Sequence, residues 1–62
     1  FSKKELLKIS KIILLELEGG PKTSREILEN IDQREVLVLK TIALLLGNKT
    51  ISLDQRNRYS KI

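Results

Sequence analysis

The sequence predicts a mainly α-helical domain that ends in a β-hairpin. Three observations carry that reading. Helix-start signals of one form occur three times, at Ser2…Glu5, Thr23…Glu26 and Asp32…Glu35. In such a box the side chain at the cap accepts from a free helical N–H, and the carboxylate three residues on reaches back to the cap's own N–H. Apolar residues follow each signal at helical spacing, and the tail then switches to alternation every second residue.

The first helix is expected over about residues 3–18. Leu6, Ile9, Ile13 and Leu17 form its core stripe, widened by Leu14, while Lys4, Lys8 and Lys11 fall on the far side with Leu15 among them and Ile12 at the border. Gly19-Gly20-Pro21 ends it, because glycine accepts positive φ and proline cannot continue the ladder. The second helix is short, about residues 24–30, and buries Ile27, part of Leu28, and Ile31 just past its end.

The third helix is expected over about residues 33–46, stopped by Gly47-Asn48. Its wheel can be read two ways. One reading buries Val38, Ile42 and Leu45 and sends Val36 and Ala43 outward; the other buries Val36, Leu39, Ala43 and Leu46 and leaves Arg34 and Thr41 outward. Leu37, Lys40 and Leu44 point outward in both.

Thr50-Ile51-Ser52-Leu53-Asp54 alternates polar and apolar, the pattern of a half-buried strand. Gln55-Arg56-Asn57 suits a three-residue hairpin loop with Asn57 in the left-handed position, and residues 58–62 return as the second strand. In that register Leu53 faces Tyr59. An isolated hairpin is unstable in water, so its apolar side must lie on the helices.

Sixty-two residues make one small domain, spanning 1–62. At that length only roughly 60% of the unfolded surface is buried, and dense packing or a partner has to compensate. There is no Cys and no His, which excludes disulfides and leaves the usual zinc ligands unsupplied. Twelve leucines and eight isoleucines supply the packing instead. A chain that opens on Phe1 is expected to be part of a longer protein. No signal peptide is expected, and no apolar run approaches the ~20 residues of a membrane span. Abundant Ile, Lys and Glu without Cys, Met or Trp suggest a thermophilic, intracellular origin.

Net charge is +4, and most of the excess lies at the C-terminal end, where Lys49, Arg56, Arg58 and Lys61 face Asp54 alone. That distribution favours a polyanion. Catalysis is not expected. Ser residues lack an activating base, Gly19-Gly20 opens no phosphate-binding pattern, and Glu16, Glu18, Glu29 and Asp54 are spread as on a solvated surface. No cofactor, metal or small-molecule ligand is evident.

The stretch TSREILENIDQREVLVLKTIALLLGNKTI, with Arg58-Tyr59-Ser60 as a returning strand, resembles the winged helix-turn-helix superfamily over nearly the whole chain. The resemblance implies three helices and a two-stranded wing. It also implies double-stranded DNA binding and transcriptional regulation, with the third helix in the major groove. Carried onto this sequence, the DNA-binding residues would be Arg34, Lys40 and Thr41 on the helix and Arg56 and Arg58 on the wing. Leucines on a groove-facing side depart from that pattern, because base edges are read by hydrogen-bonding side chains. The departure raises a second expectation. Leu37 and Leu44, with Leu15 on the first helix, would form a protein interface, either to a second copy in a homodimer or to a partner subunit in a replication or transcription assembly.

Overall fold

The computed structural model describes residues 2–62; Phe1 lies outside them. In chain order the elements are α1 (Lys3–Leu17), β1 (Lys22–Thr23), α2 (Ser24–Asn30), α3 (Glu35–Gly47), β2 (Ile51–Leu53) and β3 (Arg58–Lys61). The three helices pack around a core of branched aliphatics, and a small antiparallel sheet closes one side.

α1 begins where Ser2 accepts the Glu5 N–H at 3.2 Å. Ile9, Ile13 and Leu17 are buried along one stripe, with Leu6, Ile12 and Leu14 partly buried beside it. The helix ends in the expected loop, where Gly20 takes φ +123°. Its C-terminal carbonyls gain a further partner, since the Lys22 ammonium donates to the Glu16 carbonyl at 2.7 Å. A cation at that end of a helix also offsets the negative end of its dipole.

α2 carries the full reciprocal cap. Thr23 Oγ1 accepts from the Glu26 N–H at 3.2 Å, and Glu26 Oε1 accepts from the Thr23 N–H at 3.0 Å. The latter bond, with the Thr23 hydroxyl second, holds the Glu26 carboxyl below its usual range. Ile27 and Ile31 are buried as expected.

The start of α3 corrects the sequence reading. Asp32 does not cap it; the cap position is Arg34, which has no side-chain bond there, and the helix opens at Glu35. The cause lies upstream. Ile31 is buried in an extended conformation (φ −114°, ψ 119°), so two further residues are spent turning the chain before helix can begin. Glu35 is therefore a first-turn residue on the positive end of the dipole instead of the reciprocal half of a box.

At the other end of α3 the chain reverses through Lys49, at φ 58°. Asn48 and Lys49 donate their N–H groups to Leu44 and Leu46 carbonyls at 2.9 and 3.0 Å.

The hairpin has the expected register, Leu53 opposite Tyr59, and Asn57 takes φ 60° in a three-residue loop. The hairpin is not the whole sheet, however. Lys22 and Thr23 pair antiparallel with Tyr59 and Arg58, so β3 is the central strand and the order is β1-β3-β2. The expectation of two strands missed β1 because two residues before a helix cap carry no period. A capping Thr already has extended backbone (φ −77°, ψ 164°), which is what lets it join a strand edge.

Candidate functional site

The two candidate surfaces are α3 and the hairpin, and the side chains on each are placed by different forces. α3 is apolar almost all round, so its own pattern does not orient it. Packing against α1 and β2 does. Val38, Ile42 and Leu45 are buried, which selects the first wheel reading, and Leu37 and Thr41 join them.

Two expected site residues are thereby corrected. Thr41 is 0% exposed, and its hydroxyl donates to the Leu37 carbonyl at 2.7 Å, so it cannot reach a nucleic acid. Leu37 is 6% exposed, so it belongs to the core and not to an interface. Both lie on the side of α3 covered within the domain, which widens the buried arc beyond what a single stripe would give.

The face opposite that arc is the outward face of α3. It carries Val36 at 59% exposure, Leu39 at 44% and Ala43, with Glu35 and Lys40 exposed on its flanks. The sequence reading gave Val36 and Ala43 to this face in one wheel and none of the three in the other. The signal that separated the wheels was available only as Val38-Ile42-Leu45 continuing into the buried Ile51.

Leu44 and Leu15 are exposed, as expected. Leu44 borders a groove of about 470 Å³ between α1 and the C-terminal half of α3, lined in its apolar part by Leu6, Leu7, Leu14 and Leu45. Leu15 does not line that groove; it projects about 100° around α1 from Leu14.

On the hairpin, Asp54 is the organising residue, not a scattered surface acid. Its Oδ1 accepts the N–H groups of Arg56 at 2.8 Å and Arg58 at 2.9 Å, and its Oδ2 accepts Arg58 Nε at 3.2 Å. The Arg58 N–H above all holds the Asp54 carboxyl below its ordinary range, helped by the Arg56 N–H and the Arg58 charge. Arg58 is thus committed to the loop, half-buried and paired. Lys61 pairs with Glu18 at 3.4 Å, so two of the four cations in the tail have acidic neighbours. Arg56 stands exposed at the tip, and Arg34 is exposed at the start of α3.

No family model, curated protein or solved structure matches this chain. The site is therefore read from its own chemistry.

Among the described residues, no three His, Cys, Asp or Glu side chains gather in a metal-binding arrangement, and no helix is long and apolar enough to cross a membrane. A second, shallower cleft of about 330 Å³ between α2 and the start of α3 is lined by Ser24, Arg25, Leu28, Glu29 and Glu35.

Proposed function

We propose that this domain is a winged-helix interaction module whose α3 holds protein instead of reading base edges. One observation carries the reading: the outward face of α3 presents Val36, Leu39 and Ala43. Base readout in the major groove needs donors and acceptors at base edges, typically Arg, Lys, Asn or Gln. This face offers Lys40 alone of that set. A contiguous apolar stripe flanked by charges is instead what helix-on-helix association uses. The order of elements, three helices with the hairpin last and a short strand joining it, supports the winged-helix assignment.

The test is an amide chemical-shift titration of the chain with duplex DNA. The reading expects amides of residues 35–47 to stay in place. Large, saturable shifts concentrated at Val36, Leu39, Lys40 and Ala43 would overturn it in favour of a groove-reading helix.

A second reading has its own support. The exposed Arg56 at the hairpin tip, with Arg34 at the start of α3, gives a cationic edge suited to phosphate contact. Duplex binding by that edge, as in a transcription regulator, would be weak and strongly salt-dependent, with about 0.9 in log–log slope lost for each phosphate contact removed. Replacing Arg34 and Arg56 with Ala and finding the slope unchanged would dispose of it.

A further inference from the structure

Resting on the reading of α3 as a protein-contact helix, we infer that its partner is α3 of a second copy of this chain, packed in parallel. Val36, Leu39, Ala43 and Leu46 follow one another at spacings of three, four and three residues, the a-d-a-d register of a two-stranded seam. The first three are exposed, and Leu46 is half-buried at the end of the stripe. A β-branched residue at the first a position with Leu at the first d position is the combination that favours two parallel strands. Ala43 in the seam and Gly47 beside it let two helix backbones approach closely.

The charges fix the orientation and the identity of the partner. Glu35 occupies the g position before this seam and Lys40 the e position five residues later. In a parallel pair, g of one helix lies beside the following e of the other, so Glu35 of each copy meets Lys40 of its mate. The pairing is self-complementary and occurs twice about a two-fold axis, as an isologous interface requires. An antiparallel pairing of the same seam sets e beside e and g beside g, which brings Lys40 beside Gly47 and Glu35 beside Ile42, and neither charge meets its complement.

Sedimentation equilibrium of the chain up to about 1 mM tests this, run beside Glu35→Lys, Lys40→Glu and an equimolar mixture of the two variants. The expected result is a reversible dimer for the parent and at least tenfold weaker association for each variant alone. The mixture should recover association as a heterodimer. The lysine introduced in one variant then meets the glutamate introduced in the other, and the unaltered Lys40 and Glu35 pair as in the parent. Both positions are exposed in the monomer, and circular dichroism of each variant should match the parent.

A monomer at all concentrations would overturn the inference. So would a dimer unaffected by either reversal, or a mixture no tighter than its parts. Its failure is separable from failure of the function proposed above. Self-association can be absent while duplex DNA still leaves the α3 amides unmoved, and only the choice of partner is then lost.

Discussion

The Thr41 hydroxyl donates to the Leu37 carbonyl at 2.7 Å, one turn back on α3, and both side chains are sealed inside the domain. The bond lies within α3 and lets Thr41 sit on the core side that packing on α1 and β2 selects. It satisfies a buried hydroxyl that would otherwise lose its water partners uncompensated. With Leu37 and Thr41 inward, Val36, Leu39 and Ala43 are the residues the helix shows to its surroundings.

Substitution at Thr41 should separate a core residue from a surface one. Thr41→Val removes the hydroxyl while keeping the shape, and the Leu37 carbonyl keeps its helical backbone partner. The change should therefore cost no more than about 1 kcal/mol. Thr41→Arg buries an unpaired charge and should cost about 3 kcal/mol or more, enough to unfold a domain of this size. Urea denaturation of the two variants checks it. A folded Thr41→Arg protein with tighter duplex binding would show that Thr41 faces outward.

Truncations on the two faces of α3 and in the core should differ sharply. Ile13→Ala, at 0% exposure, should lose about 2–5 kcal/mol and leave little folded protein at 25 °C. Val36→Ala should change monomer stability by about 0.5 kcal/mol at most. Thermal melts at low concentration, where self-association does not contribute, distinguish them.

The caps make a second pair. Thr23→Ala removes the hydroxyl that accepts from Glu26 and should cost about 1 kcal/mol. Asp32→Ala should be nearly silent in the same urea titration, because the helix it precedes starts at Glu35 with Arg34 in the cap position. Equal losses at both sites would restore Asp32 as a cap.

Asp54 should give the hairpin an acid limit. Its carboxyl titrates lower in the folded chain than in the unfolded one, so the folded state binds fewer protons there. The stabilisation is complete above the unfolded value of about 4 and is lost as pH falls through the lower, folded value. Asp54→Asn should flatten that part of the pH dependence without moving stability's slope at neutral pH. Hairpin amide shifts followed from pH 6 downward give the readout.

Two backbone changes at the end of α3 should stabilise. Lys49 sits at φ 58°, where a side chain is strained, and Lys49→Gly should gain up to about 1 kcal/mol. Gly47 is helical with open space where a Cβ would go, so Gly47→Ala should gain a similar amount. Loss of stability at either position, measured by urea titration, would contradict these backbone assignments.

Much of the fold was legible because it is written in local chemistry. Caps at Ser2 and Thr23, the Gly-Gly-Pro stop and the alternation of the tail each act over a few residues. The register of Leu53 against Tyr59 follows from loop length alone. β1 was not legible, since Lys22 and Thr23 become strand only by lying beside Tyr59 and Arg58. Asp54 looked like one more solvated acid until the loop folded Arg56 and Arg58 back onto it.

The sequence by itself determined that three helices and a C-terminal hairpin form, where two of the helices begin, and that no thiol or imidazole chemistry is on offer. Only the tertiary structure decided which side of α3 is core. A helix with branched aliphatics on every side has no preferred face of its own. The choice is made by the surfaces it meets, α1 on one side and Ile51 of β2 on the other, against which Leu37, Val38, Ile42 and Leu45 are withdrawn from water. What remains outside, Val36, Leu39 and Ala43 between Glu35 and Lys40, is the face α3 exposes.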